Sequence, residues 1–425
     1  MSLTATAAPV VQTYSKHDPY AALRVPSYLL FIAGRISFMV GWQMQMAAVG
    51  WQVYERLGSK LALAYVGLVS IIPMLCLVLP AGHLADRHDR RVNILCGQAI
   101  FFCASISLGI ISLRQADPRL IYVCLFFLGV TRAITMPSIG ALISSVIPRE
   151  ALGNAMTWSS TFLELTQIIG PAVAGLLIAA SGGATVVYFT AAGCAVLCVI
   201  FFSLLRIRKR ERPVQAATLH DLIGGVRFLF RTKLLLTAAS LDLFAVFLGG
   251  ATALLPVVAK DILHVGPAGF GWLRAAPSIG AITMAIVTAH RTPWRRAGRV
   301  LFLSFIGFGG AIIVFGLSRN FWLSIGMLIL TGVFDNLNVV IRQTLLQLVT
   351  PDQMRGRVGS INMLFIGCSN ELGGFESGLM AQWIGAVPAI VTGGIGTLLV
   401  VCTVMKISPA LRRLGPLHEV KPAPL

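Results

Sequence analysis

The chain has 425 residues, of which 56% are hydrophobic and only 12% charged, with a mean hydropathy of +0.82. Those values exclude one or several water-soluble cores and make lipid the solvent for most of the chain. The net charge of +18 would suit a nucleic-acid ligand, but the placement of the charges, taken up below, excludes that class too.

Residues 1–26 are polar and lack an ordered charged, apolar and cleavable run, so they read as a cytoplasmic tail with no removable signal peptide. Stretches long enough to cross a bilayer core, which takes about 20 apolar residues, then recur almost without a break. They fall at 27–54, 61–81, 92–113, 119–146, 151–180, 184–206, 234–259, 268–290, 299–318, 321–346, 357–384 and 386–407. The expected fold is an all-α membrane protein of twelve transmembrane helices in two pseudo-symmetric six-helix bundles. The first half is 27–206, a cytoplasmic linker covers 207–233, the second half is 234–407, and 408–425 form a cytoplasmic tail. Within the linker, Leu219 to Arg231 reads either as an amphipathic helix on the inner leaflet or as plain linker.

With both termini inside, the cytoplasmic segments hold 24 of the 34 Lys and Arg. Exterior loops hold Arg56, Lys60, Arg114, Arg119, Lys260 and Arg319, and the spans hold Arg35, Arg132, Arg274 and Arg342. This is the positive-inside pattern. It explains the basic composition by topology and contact with anionic lipid rather than by nucleic acid. The eight cysteines lie in spans or at their edges, contain no CxxC pair and read as small packing residues.

An internal repeat supports the division into halves. A shift of 203 residues places Gly129-Val130 on Gly332-Val333, Leu142 on Leu345, Pro148 on Pro351, Gly153 on Gly356, Phe162 on Phe365, Gly170 on Gly373, Gly175-Leu176 on Gly378-Leu379 and Gly182 on Gly385. A shift of 204 places Gly67 on Gly271 and Pro73 on Pro277.

A charge at the bilayer centre costs about 2.5–3.5 kcal/mol even on the lenient insertion scale, so the charged spans are the ones shielded from lipid. Spans three, six, nine and twelve carry no charge in their interiors and are free to face it. Arg132, Glu164, Asp335 and Glu371 sit near mid-membrane, with Glu376 one and a half turns beyond Glu371. As structural ion pairs, Arg132 would join Glu164 across its hairpin and Arg342 would join Asp335 or Glu371. As functional groups, Glu371 first, then Glu376, Asp335 and Glu164, are candidates to carry a proton. Arg35, Asp242 and Arg274 lie nearer helix ends, where snorkelling or local pairing is the simpler expectation. A cavity lined mainly by spans one, four, seven and ten would hold Arg35, Gln43, Gln45, Arg132, Asp335, Asn338 and Arg342 against a substrate. No metal ligands and no cofactor are expected.

Gly82-His83-Leu84-Ala85-Asp86-Arg87-His88-Asp89-Arg90-Arg91, between spans two and three, resembles the G-x-L-A-D-R-x-G-R-R loop of the major facilitator superfamily, with Asp89 where that signature has glycine. The resemblance implies a conformational latch made of Gly82, Asp86, Arg87, Arg90 and Arg91. Gly170-Pro171-Ala172-Val173-Ala174-Gly175 is similar to the helix-bending G-P-x-x-G motif of exporter branches, carried here by Gly170, Pro171 and Gly175. With Thr350 to Arg357 and Ser369 to Gly373, the chain resembles the bacterial branch that contains enterobactin exporters and macrolide efflux proteins. That resemblance implies a monomeric transporter in the inner membrane, with cytoplasmic termini, that exports a small organic molecule against a proton gradient. Uptake by proton symport or facilitation uses the same fold and is not separable by these residues. ATP-driven pumping is excluded by the lack of a phosphate-binding loop, since no Gly-Lys pair occurs. An intramembrane enzyme is a remote alternative, with no nucleophile and base at a telling spacing.

Overall fold

The computed structural model describes residues 20–87, 89–148, 151–205, 219–290, 294–351 and 354–417. Among them there is no strand. A short 3-10 turn, Ala22–Arg24, leads into α1 (Pro26–Leu57), α2 (Lys60–Arg87), α3 (Arg90–Leu113), α4 (Leu120–Val146), α5 (Leu152–Ser181) and α6 (Thr185–Leu204). The linker helix α7 (Leu219–Arg231) precedes α8 (Lys233–Leu248), which continues through a 3-10 turn, Ala251–Leu254, the short α9 (Leu255–Val257) and a π-helical turn, Val258–Ile262. Then come α10 (Gly266–Ala289), α11 (Ala297–Leu317), α12 (Phe321–Val349), α13 (Arg355–Ile384), α14 (Ala386–Ile407) and α15 (Pro409–Arg412).

Ten helical segments are long and apolar enough to cross a membrane. The other two of similar length, α1 and α13, are diluted by charge and amide: Arg35, Gln43, Gln45 and Gln52 in α1, and Arg355, Arg357, Glu371 and Glu376 in α13. Neither stands at the periphery. The first packs on α5 and α6, the second on α2, α8 and α14, so neighbouring helices rather than lipid receive their polar groups. The helices α3, α6, α11 and α14, whose charges are confined to their end turns where they have any, expose Phe102 and Ile110, Leu197 and Ile200, Leu303 and Val314, and Ile395 and Leu399, as a lipid-facing surface requires.

The repeat in the sequence becomes a repeat of helix crossings. A Cβ on Gly129 of α4 would collide with Ser70 and Pro73 of α2, and one on Gly332 of α12 would collide with Pro277 of α10. Pro73 and Pro277 are themselves repeat-related, so the same close crossing is built twice. The hairpin glycines Gly182 and Gly385 end α5 and α13 with positive φ, 70° and 96°, where a side chain would be strained. Van der Waals contact between small residues holds membrane helices together because lipid supplies no hydrophobic drive.

In one place the structure differs from the expectation, and in another it decides between two readings. Span seven is not one continuous helix over 234–259: α8 stops at Leu248 and the chain turns through Gly249-Gly250 before resuming. Two consecutive glycines weaken the helix, and Gly250 lies where a Cβ would meet the carbonyl of Gly373 at 2.5 Å. The linker segment Leu219–Arg231 does form a helix, and α7 docks on α8 and α13, burying Phe228 and Leu229 in a second apolar cluster with Leu235, Leu345 and Val349.

Candidate functional site

The two halves meet along α2 with α13 and along α5 with α10. These crossings lie near the end of the bundle that carries the turns at Gly58, Gly182, Gly266 and Gly385, opposite the end with the chain termini. Gly175 of α5 lies against Gly271 of α10, and Gly378 of α13 lies so close to α2 that a Cβ would be 2.7 Å from that of Ala64. At the same end Trp51 packs on Phe270 with ring centroids 5.5 Å apart, and the Tyr54 hydroxyl donates to Asp261 Oδ2. The molecule is closed between its halves at the turn-bearing end.

Deeper in the bundle, Arg132 of α4 meets Glu371 of α13, Nη1 to Oε1, at 3.0 Å. This ion pair joins one half to the other. Its side chains are 32% and 25% exposed, and Arg274 of α10 adds a second favourable charge acting on Glu371. The expected pairing of Arg132 with Glu164 does not form. Although α4 and α5 are consecutive, α4 packs on α2 and α3 while α5 packs on α1 and α10, so their inner faces diverge. Arg274, expected to snorkel or pair locally, lies within electrostatic reach of Glu371.

Arg342 does not pair with Asp335 or Glu371 either. It binds Asp242 of α8 at 2.8 Å, with both side chains 5% exposed, and donates to Asn362 at 3.4 Å. Asn338 donates to the other oxygen of Asp242 at 3.1 Å. Asp335 precedes Arg342 by seven residues, about 10 Å along the helix axis, which places their heads at different depths. Asp242 is therefore a buried half of an ion pair that holds α8 to α12, not a snorkelling end residue.

Beside these pairs lies a cavity of about 350 Å³. Its polar lining is Glu164 and Gln167 from α5, Thr252 from the break after α8, Ser278 from α10, Asp335 and Asn336 from α12, and Asn370 from α13. Phe308, Ile312, Leu328 and Pro277 supply apolar walls. The backbone of Gly249, Gly250 and Ala251 lines it as well. Interrupted helix at membrane depth is tolerated where it borders such a space, which is the physical reason the break in span seven sits here.

Of the expected lining spans one, four, seven and ten, seven and ten (α8 and α12) border this cavity and one and four do not; α5, α10, α11 and α13 complete it, and Asp335 is the expected substrate residue it contains. Gln45 is fully buried and accepts from Ser105 Oγ at 2.6 Å, so it bonds α1 to α3. Gln43 packs against Gly170, and Arg35 is half-buried near Tyr28. Asn338 and Arg342 serve Asp242, Arg132 serves Glu371, and Glu376 accepts from Ser377 at 3.4 Å. Gln167, Thr252, Ser278, Asn336 and Asn370 escaped the sequence reading. The Gly249-Gly250 pair, followed by Thr252 and Pro256, was the signal for the break and for the polar pocket beside it.

The latch is described in part. Asp89 caps α3, its side chain accepting from Arg91 N at 2.9 Å, which gives the departure from the signature a role of its own. Arg90 donates to the Ala141 carbonyl at 2.8 Å, near the end of α4, and Arg91 to that of Ser203, in the final turn of α6 where carbonyls are unpaired. Gly82 lies in α2, and the side chains of Asp86 and Arg87 lie outside the described residues. In the helix-bending motif, Gly170, Pro171 and Gly175 are all buried, facing α1 and α10.

A family model described as a transmembrane secretion effector matches residues 17–416. The chain is 26% identical over 404 residues to the enterobactin exporter EntS of Shigella flexneri, covering 93% of both, and 25% identical over 401 residues to that of Escherichia coli O157:H7, again covering 93% of both. Its fold is similar to a bacterial homologue of the human lysosomal transporter Spinster in an inward-facing, occupied conformation, with TM-score 0.72 and 14% identity, over 92% of this chain and 99% of the other. It is also similar to a D-xylose–proton symporter, with TM-score 0.69 and 13% identity, over 91% and 99%.

Proposed function

The chain belongs to the transmembrane secretion effector family of major facilitator transporters, and from that premise we propose that it exports small organic molecules by alternating access, driven by protons. The observation that carries the reading is the Arg132–Glu371 ion pair across the two halves. A proton delivered to Glu371 cancels the carboxylate that holds Arg132, loosening the contact between α4 and α13 and favouring separation of the halves at the turn-bearing end. Loss of the proton restores the pair. Proton flow and conformation are linked through one contact, with no cofactor.

The polytopic chain sits in the bacterial inner membrane with both termini in the cytoplasm, so the closed end faces outward and the structure receives cargo from inside. Both exporters named above carry enterobactin in their names, which makes catecholate siderophores one arm of the test. The protein works as a monomer among anionic lipids, without nucleic acid. The experiment is retention of siderophores, macrolides and dyes in efflux-deficient bacteria carrying wild type or Glu371→Gln, with and without a protonophore. Lower retention in wild type that is lost with the variant or the uncoupler supports the reading. Higher retention in wild type means uptake and overturns it.

A further inference from the structure

The cavity has an electrostatic sign that neither the family nor its relatives assign. Two carboxylates line it, Glu164 and Asp335, and no Lys or Arg does. They come from different helices, α5 and α12, onto the same space. Among the described residues Asp335 has no hydrogen-bond or ion-pair partner, and Glu164 receives one bond, from Gln167 Nε2 at 3.2 Å. The basic groups nearby are engaged: Arg342 with Asp242 at 2.8 Å and Arg132 with Glu371 at 3.0 Å. Arg274 lies one turn from Pro277 and Ser278 on α10, with its charge directed to Glu371.

The backbone adds to the same sign. α8 ends at Leu248, and Val246, Gly249, Gly250 and Ala251 line the cavity. The C-terminal end of a helix carries about half a negative charge and favours cations, and interrupted membrane helices present such ends to cations. Phe308, Ile312, Leu328 and Pro277 supply apolar wall, and the cavity has the volume of a small-molecule site.

We propose that this cavity is a binding site for an organic cation, an ammonium-bearing molecule with an apolar body, whose charge is neutralised by Asp335 and Glu164. The inference rests on the transport reading for its biological use, though not for its test. Asp335 is the principal counter-charge, Glu164 the second, and Asn336, Asn370 and Gln167 orient polar substituents. An anionic catecholate would meet two carboxylates and a helix C-terminus here, with no Lys or Arg in the lining.

The test is calorimetric titration of the purified full-length protein in lipid nanodiscs with benzyltrimethylammonium and with phenylmethanesulfonate, which have similar shape and opposite charge. The cation is expected to bind at least tenfold more tightly than the sulfonate. Asp335→Asn is expected to lower its affinity at least tenfold and Glu164→Gln severalfold, both in variants that keep the wild-type melting temperature. Gln45→Leu, away from the cavity, serves as control. Equal or tighter binding of the sulfonate, binding of neither probe, or unchanged cation affinity in both carboxylate variants overturns the proposal. Cation bound in nanodiscs but no cargo moved in cells leaves this site standing and defeats export. Catecholate exported with no cation bound does the reverse.

Discussion

Replacing Glu371 by Gln removes one charge from the contact between α4 and α13 while keeping its shape. At 3.0 Å and an effective dielectric constant near 20, the Coulomb attraction is about 5–6 kcal/mol. The side chains remain 32% and 25% exposed, so water screens the pair and the cost of desolvating both ions offsets much of the attraction. A net contribution of about 2 kcal/mol follows, or roughly a thirtyfold shift toward opening of the halves, at 1.4 kcal/mol per tenfold. Hydrogen exchange reads this directly at the closed end, in the amides of 50–59 and 258–265, which lie under the Tyr54–Asp261 and Trp51–Phe270 contacts. Exchange there should accelerate about thirtyfold in Glu371→Gln and return toward wild type in the charge swap Arg132→Glu with Glu371→Arg. Exchange within twofold of wild type in Glu371→Gln, or a swap that restores nothing, refutes the assignment of this pair as the contact that holds the halves.

Three further outcomes follow from the packing. Asp242→Asn strands the Arg342 guanidinium where it is 5% exposed, so thermal unfolding in detergent should show a loss of about 3–5 kcal/mol; the double change Asp242→Leu with Arg342→Leu should cost clearly less. Gly175→Leu places a branched side chain where a Cβ already meets the Pro267 carbonyl at 2.5 Å, so α5 and α10 cannot close. Its efflux should fall to background while hydrogen exchange at 50–59 rises and the unfolding free energy falls by no more than the roughly 1–3 kcal/mol typical of overpacking. Gln45→Leu removes a bond between α1 and α3 and should leave the range of exported compounds unchanged, since Gln45 does not border the cavity.

The spans and the repeat were legible because both are one-dimensional signals: a run of apolar residues about a bilayer long, and glycines recurring at 203 residues. The structure explains the second by building the Gly129–Pro73 and Gly332–Pro277 crossings twice. Ion-pair partners were not legible. Arg132 and Glu371 are 239 residues apart, and which of several mid-membrane carboxylates faces the arginine depends on helix neighbours rather than spacing. The hairpin pairing of Arg132 with Glu164 presumed that consecutive helices pack together, which α4 and α5 do not. Cavity lining failed for a related reason. Gln43 and Gln45 are polar residues in span one, but a helix of that length has several inward faces, and theirs meet α5 and α3. Asp335 could be picked out as bordering a polar space because an acid at mid-membrane has few uses elsewhere.

Docking of α7 against α8 and α13 also decides which body the linker helix belongs to. With Phe228 and Leu229 sunk in the same apolar cluster as Leu235, Leu345 and Val349, Leu219–Arg231 is carried by the second half as part of its own core. The relative placement of the two halves is then governed by the side chains and small residues at their shared faces, α2 on α13 and α5 on α10.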